Sequence, residues 1–320
     1  MTACPVSVVV TTHNRSGILA RCVRATLAEV RRHPGAELVV VDNASSDDTP
    51  AVLDDLQRDE GSPLRTLHEP RIGASHGRNA GLAAARGDLI AFLDDDAVPR
   101  AGWLAALTAP LTDPAIAGVG GPLILRLSAP PPAWFTPDFH EAAGLYDLGG
   151  VRRRVNHRGG EWYPPSANLC LRTRDVIREG GFYEVLGPHG TRHFVHEDAD
   201  LCARLERHAG EIHYVPEAIV DHWIVPGKLT PQYFLDHHTC FGEGAAVFAL
   251  RNRSLPRILW GLRWYARYLA ALPYRPEEPI DPVRLLGECQ RREALAYLRT
   301  LTRYLPRLAE LRRDLRHYST

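Results

Sequence analysis

Short apolar runs alternating with helical stretches through the first 120 residues restrict the possible fold more than any other feature of the chain. Val6–Val10 and Leu38–Val41 have the length of buried strands, and each passes directly into polar residues. Between them Ile18, Leu19, Cys22, Val23, Thr26, Leu27 and Val30 recur at helical spacing. Thr49-Pro50 reads as the N-cap and first residue of a second helix. Leu64–His68 is a third, weaker strand, and Asn79–Arg86 a third helix that Gly87 stops at its C′ position. Leu89–Leu93 is a fourth buried strand and runs into Asp94-Asp95-Asp96. This order predicts an α/β protein built on a doubly wound, mostly parallel sheet. In such sheets ligands bind beyond the carboxyl ends of the strands. There the segments THNR (12–15), DNASSDD (42–48) and DDDAVP (94–99) sit.

After Gly120 the pattern loosens into a proline-rich connection (128–137) and a Gly/Arg-rich loop (149–165). Asn168–Leu171 reads as a strand, and Glu197–His208 as a helix with Leu201, Cys202 and Leu205 inward, ended by Gly210. Ile212–Tyr214 is a short strand, and from Thr230 onward only three or four helical patterns remain.

With 320 residues, 45% of them hydrophobic, the chain can bury a full core. Zero formal net charge gives no global field to recruit nucleic acid. The zero hides an asymmetry: residues 251–320 hold 15 Arg against 7 Asp/Glu, near +8, leaving the rest near −8. Lys228 is the only lysine beside 37 arginines, a bias read as codon usage. Six scattered cysteines without a C-x-x-C pair do not form a disulfide framework. The N-terminus lacks a basic-then-apolar leader, and no run of 18 uncharged apolar residues exists. The expectation is a reduced, soluble, cytoplasmic enzyme.

Chemistry concentrates at the strand ends. Three adjacent carboxylates repel unless a cation or donors neutralise them. Residues two apart in an extended chain point the same way, so Asp94 and Asp96 are expected to face together. Mg²⁺ or Mn²⁺ takes such oxygen ligands and bridges them to phosphates; the ordinary alternative is a solvated, aspartate-rich turn. Asp42 closes the second strand, where it could accept a hydrogen bond from a nucleobase, while Asp47 and Asp48 read as turn residues. Thr11, His13, Asn14 and Arg15 occupy the first strand's exit, and Asn43 follows Asp42. Arg78 and Asn79 are expected to begin a helix, which would aim a guanidinium and a helix dipole at a diphosphate. Glu197-Asp198-Ala199-Asp200 opens a helix, where acids are favoured by the dipole alone. One of them is a candidate base, provided that apolar surroundings or neighbouring acids raise its pKa against that dipole. His222 follows the run Ala218–Val220 and could complete a metal shell with Asp96.

In order and spacing, VSVVVTTHNR (6–15), VVVDNASSDDT (39–49), GASHGRNAGLAAARGDLIAFLDDDAVP (73–99), EGGFYE (179–184), HEDADLCARL (196–205) and VDHW (220–223) resemble glycosyltransferase family 2. The resemblance implies the GT-A fold with a C-terminal helical extension. Its parts would be a nucleotide-sugar-binding half (1–125), an acceptor-binding and catalytic half (126–229) and a helical region (230–320). It further implies an inverting enzyme that uses Mn²⁺ or Mg²⁺ and a nucleotide-diphosphate sugar, with a UDP-sugar favoured. Asp42 would meet the base, Arg78 the diphosphate, and Asp94 the ribose. Thr11, His13, Asn14, Arg15, Asn43 and Asp95 would line the same donor site. Asp96 and His222 would hold the metal, and Asp198 would be the catalytic base. Glu197, Gly181 and Asn168 would face the acceptor, a saccharide, a lipid-linked saccharide or a small molecule. His13 departs from the frequent tyrosine at its position. The Q-x-x-R-W motif of processive members is missing, which implies single transfer.

A sugar-nucleotide pyrophosphorylase would need a glycine-rich basic loop after the first strand, where this chain has Thr-Thr-His-Asn-Arg. A non-catalytic nucleotide-sugar sensor would be favoured by a degraded aspartate triplet or a missing Asp198. In the tail, Ile258, Leu259, Leu262, Tyr265 and Leu269 fall on one helical arc. Arg253, Arg257, Arg263 and Arg267 share the opposite arc with Trp260, Trp264 and Tyr268. Such a helix suits a membrane surface; the favoured reading is that its apolar arc packs on the catalytic domain.

Overall fold

Val6, Val8 and Val10 pack with α-helical residues Leu19, Cys22 and Val23 on one face of their strand, while Val9 joins a second cluster on the other. Burial on both faces is why the run is continuously apolar rather than alternating. A computed structural model describes residues 5–58, 63–155, 162–189, 192–252, 255–269 and 279–304. The first half runs β1 (Val6–Thr12), α1 (Ser16–Arg32), β2 (Glu37–Asp42), α2 (Thr49–Gln57), β3 (Leu64–His68), α3 (Ala74–Ala84), β4 (Leu89–Asp94), β5 (Ala97–Pro99) and α4 (Trp103–Thr108). It continues with β6 (Ile116–Gly120), β7 (Leu123–Leu127), β8 (Arg153–Arg154), β9 (Asn168–Arg172), α5 (Thr173–Arg178), β10 (Gly187–His189) and β11 (Arg192–Phe194). Last come α6 (Glu197–His208), β12 (Glu211–Tyr214), β13 (Val220–Ile224), α7 (Pro231–Arg251), α8 (Leu255–Ala266) and α9 (Pro282–Tyr304).

The central sheet has eight strands in the order β3-β2-β1-β4-β9-β6-β12-β8. From β3 to β4 all pairings are parallel, as the strand–helix alternation requires. β9 then enters antiparallel between β4 and β6. A three-stranded sheet, β5-β13-β7, stands beside the carboxyl ends and brings His222 opposite Ala97.

Three boundaries differ from the sequence reading. Asp48, not Thr49, caps α2; Thr49 lies inside the helix and its hydroxyl accepts a hydrogen bond from the Arg15 N–H at 3.0 Å. α3 begins at Ala74, so Arg78 lies in the second turn and is not at the helix amino end. Gly87 is no helix stop, since α3 ends at Ala84 with Ala85 as its C-cap; a Cβ on Gly87 would lie 2.5 Å from the Ser7 nitrogen. Gly77 and Gly81 let α3 press onto β1, where added Cβ atoms would meet Thr11 Cγ2 at 2.2 Å and Val9 Cγ1 at 2.3 Å.

The C-terminal helices have their own cores. Phe234 and Leu235 of α7 and Leu285 and Cys289 of α9 bury Trp134 and Phe135 from the proline-rich connection. Ala246, Leu250, Tyr265, Ala294, Tyr297 and Leu301 join α7, α8 and α9. Among the described residues, α8 thus packs on α7 and α9. Of its expected buried arc, Tyr265 is buried and Ile258 half-buried, whereas Leu259, Leu262 and Leu269 are exposed. Arg253 and the side chains of Arg257 and Trp260 lie outside the described residues.

Candidate active site

β4 stops at Asp94, and the chain turns through Asp95 and Asp96 before β5. The strand alternation expected to align Asp94 with Asp96 therefore does not hold across this turn, and the two carboxylates meet different partners. Asp94 Oδ1 accepts from Arg78 Nη2 at 3.0 Å. Asp95 Oδ2 accepts from the buried Thr12 hydroxyl at 2.7 Å. Asp96 Oδ1 lies 3.2 Å from His222 Nε2, and its Oδ2 accepts from Lys228 Nζ at 3.0 Å. Arg15 stands 3.8 Å from Asp95 and 3.9 Å from Asp96. Burial opposes ionisation of Asp96, yet His222, Lys228 and Arg15 together hold its carboxyl well below the usual range. Burial and the Asp96 charge push Asp95 upward. The triplet thus consists of unlike carboxyls, each with its own neighbours.

β13 is fastened to this turn through its backbone. The Trp223 N–H donates to the Asp96 carbonyl at 2.9 Å, and pairing with β5 fixes His222 beside the triplet. His222 Nδ1 is buried without a hydrogen-bond partner, against Gly144, where a Cβ would come within 2.7 Å. Asp96 and His222 offer one carboxylate and one imidazole to a cation. Among the described residues no group of three His, Cys, Asp or Glu side chains is gathered to hold a metal.

Arg78 spans the site. Its buried guanidinium donates to Asp94 and, through Nη1, to Glu197 Oε1 at 2.8 Å. Burial opposes its charge, but Asp94 and Glu197 outweigh burial and raise its pKa. The carboxyl end of β4 and the amino end of α6 are thereby held within one side chain of each other. Before α6, His196 takes a left-handed conformation at φ 85°, a strained geometry for a non-glycine residue. Asp198 Oδ2 accepts from the Ser166 N–H at 3.0 Å, and Oδ1 from the Ala199 N–H at 2.7 Å. Burial raises Asp198 above the ordinary carboxylate range despite those donors, and burial plus the Asp198 charge raises Glu197. Burial, and not an apolar lining, is what works against the helix dipole here, since Arg78 and Asp94 also act on Asp198.

The remaining donor-site candidates line the exits of β1 and β2. Asp42 is buried; its Oδ1 accepts from the Ser45 N–H at 3.1 Å and its Oδ2 lies 3.2 Å from His68 Nδ1. His13 Nδ1 is 2.7 Å from the Asn43 carbonyl. Asn14, at φ 53°, accepts from the Ser46 N–H at 2.7 Å and so fixes the 45–47 turn. Asn43 donates to the Glu69 and Arg71 carbonyls and accepts from the Gly73 N–H at 2.7 Å, which makes it a strut between loops. Thr11 turns its methyl onto Gly77, and its hydroxyl is buried without a partner.

Two acceptor-side candidates are corrected. Asn168 is fully buried and donates to the Pro122 and Ala218 carbonyls while accepting from Trp103 Nε1 at 2.8 Å, which leaves no amide group for a ligand. Gly181, at φ 71°, lies against Asn79, where a Cβ would come 2.5 Å from Oδ1, and its carbonyl accepts from Arg204. Both residues build walls. Sequence reasoning in turn missed Ser166 and Lys228, and gave no role to Thr12, which it placed at the exit of the first strand. Lys228 had a visible signal, a single lysine in a chain that otherwise uses arginine.

Residues 7–173, just over half of the chain, match the family model described as Glycosyl transferase family 2. The Pre-mycofactocin glycosyltransferase of Mycobacterium tuberculosis is 29% identical over 259 residues, 80% of this chain and 50% of the relative. This chain thus spans about half the length of that relative. The Glucosyl-dolichyl phosphate glucuronosyltransferase of Haloferax volcanii is 28% identical over 222 residues, 68% of each protein. Among solved structures, Mannosyltransferase PcManGT from Pyrobaculum calidifontis, in complex with GDP-Man and Mn²⁺, aligns at TM-score 0.57 and 18% identity over 99% of this chain and 83% of its own. GalNAc-T7 with UDP, GalNAc and Mn²⁺ aligns at TM-score 0.55 and 16% identity, over 95% and 57%. The shared architecture is the GT-A fold, a mostly parallel central sheet followed here by C-terminal helices. From the matched family model, the chain belongs to glycosyltransferase family 2.

Proposed function

We propose that the chain transfers one sugar from a nucleotide-diphosphate donor, a UDP-sugar foremost, to an acceptor hydroxyl with inversion of the anomeric carbon. The Arg78 bridge supports the proposal, because one guanidinium joins Asp94 at the end of β4 to Glu197 in the first turn of α6. Asp198 takes the proton of the acceptor hydroxyl. The freed oxygen attacks the anomeric carbon, and the bond to the diphosphate breaks with its electron pair on the leaving phosphate oxygen. Attack and departure are in line, so inversion follows. Burial raises Asp198 in the direction a base working near neutral pH needs. Its two anchoring N–H donors hold the carboxylate in place during the transfer.

On the donor side Asp42 accepts from the nucleobase, with Thr11, His13, Asn14, Arg15 and Asn43 shaping that pocket. Arg78 faces the diphosphate, and Asp94 and Asp95 lie toward the ribose and phosphates. Mn²⁺ or Mg²⁺, held by Asp96 and His222, would stabilise negative charge on the departing diphosphate. A carboxylate and an imidazole at 3.2 Å fit such an ion. Lys228 shares Asp96 with that ion and is a second cation for the diphosphate.

One relative is named for pre-mycofactocin and another for glucosyl-dolichyl phosphate, so small-molecule and lipid-linked acceptors both belong in the trial. Glu197 stays on the acceptor side through its place beside Asp198. We assign the protein to the cytoplasm. A panel of nucleotide sugars scored for nucleotide release, with and without Mn²⁺, tests the reading. One donor should turn over faster when acceptor is added. Pyrophosphate release from a nucleoside triphosphate and a sugar phosphate, with no turnover of any nucleotide sugar, would replace the transferase by a nucleotidyltransferase.

A further inference from the structure

Residues 251–276 contain six arginines and no acid, in a chain whose formal net charge is zero overall. α8 lies within this stretch, and its packing fixes which face turns outward. Gly261 sits against Tyr297, where a Cβ would come 2.4 Å from the hydroxyl oxygen. Tyr265 is buried with its ring 4.6 Å from that of Tyr297, and its hydroxyl donates to Glu293 Oε1 at 2.9 Å. The second oxygen of Glu293 lies 2.7 Å from His238 Nδ1, so the same acid ties α8 to α7.

With that side anchored, the opposite side presents an unusual mixture. Leu259 is 52% exposed, Leu262 37%, Trp264 38%, and Leu269, just past the helix, 40%. Arg263 and Arg267 stand among them, also exposed, and the Arg267 guanidinium lies 3.4 Å above the Trp264 ring. A helix that faces only water would put charged and polar residues here and keep leucines inside. Leucines, an indole and arginines together are satisfied where hydrocarbon, headgroup and phosphate meet.

We infer that α8 docks the protein on a bilayer surface carrying anionic lipids, with Leu259, Leu262 and Trp264 entering the headgroup region and Arg263 and Arg267 meeting phosphates. The arginine charge and the modest apolar area each give weak attachment alone, and together they give reversible binding. A second copy of the chain is a poorer occupant, since it would set one acid-free, arginine-bearing face against another. The inference stands apart from the transfer reaction and is read out by binding alone.

The test is sedimentation of the full chain with phosphatidylcholine vesicles, with and without phosphatidylglycerol. The protein should pellet with anionic vesicles at low salt, less so as salt rises, and only weakly with phosphatidylcholine alone. Arg263→Glu with Arg267→Glu should weaken anionic binding by roughly 30-fold or more, from about one arginine-sized contribution each. Leu259→Ser with Leu262→Ser should weaken it too, and both double variants should melt close to the wild type because all four residues are exposed. Absence of pelleting at low salt, equal binding to neutral vesicles, or unaltered binding by the arginine variant would overturn the inference. A dimer in sedimentation velocity that Leu262→Ser dissolves would give the face to a second copy and overturn it as well.

Discussion

Asp200 is the point where loss of one charge should cost the fold most. Its carboxylate is buried in α6 and accepts from Arg204 Nε at 3.0 Å, from Arg251 Nε at 3.1 Å and from Arg251 Nη2 at 3.3 Å. Arg204 also donates to the Glu179 and Gly181 carbonyls, and Arg251 stacks 3.4 Å over the Tyr183 ring. One carboxylate thus joins α6, the 179–183 loop and the end of α7. Asp200→Asn keeps the shape but leaves two buried guanidiniums without a counter-charge. Removing one partner of a buried pair costs about 3–5 kcal/mol. In a chain of this size that lowers Tm by roughly 4–8 °C. Burial pushes the Asp200 carboxyl up, but Arg204 and Arg251 hold it below its usual pKa. A depressed folded-state pKa means the stabilisation is complete above the unfolded value, about 3.9, and is lost as pH falls through the folded one. Thermal melts of wild type and variant should therefore lie far apart at neutral pH and converge in acid. Equal Tm values at neutral pH, or a gap that widens in acid, would refute the reasoning.

Further outcomes follow from the site. In calorimetry Mn²⁺ should bind weakly by itself and tightly only with UDP, and Asp96→Ala should remove the effect of EDTA on UDP affinity; tight Mn²⁺ binding without nucleotide would contradict a two-ligand site. Lys228→Gln should raise the donor KM by roughly 10-fold or more, the scale of one charged hydrogen bond, without moving the acceptor KM. With Asp198 raised by burial, kcat/KM should fall in acid at a pH above the ordinary carboxylate range, because the base must be ionised to act. A profile flat through that range would remove Asp198 from the rate-limiting proton transfer.

The parallel half of the sheet was legible because β1, β2 and β4 are buried on both faces, which leaves unbroken valine and leucine runs in the sequence. α6 was legible to the residue, with its acids at one end, its inward leucines and its terminal glycine. The antiparallel entry of β9 was not, since strand direction is set by which strands it lies between. Local pattern also misplaced the start of α3, because Gly77 and Gly81 lower helix propensity but are needed for close approach to β1. The carboxylates at strand ends were visible, as acids have few other reasons to follow a buried run. Their partners were not: Arg78 and Glu197 are 119 positions apart, and Asp96 and Lys228 132. Asn168 looked like a ligand contact for the same reason, since nothing nearby in sequence announces Trp103, Pro122 and Ala218 as its partners.

The central claim is that Asp198 is the base of a sugar transfer, and Asp198→Asn tests it most directly. The substitution is nearly isosteric and leaves Asp94, Asp96 and His222 untouched. Once the nucleotide-sugar panel has identified the donor, its affinity is measured by calorimetry and its transfer to acceptor at saturation. Donor affinity should stay near wild type, and Tm should fall only by a few degrees because the amide keeps one of the two accepted N–H bonds, while transfer falls by roughly two to four orders of magnitude. Transfer at the wild-type rate, with donor binding intact, would contradict the account and leave Asp198 as a first-turn acid.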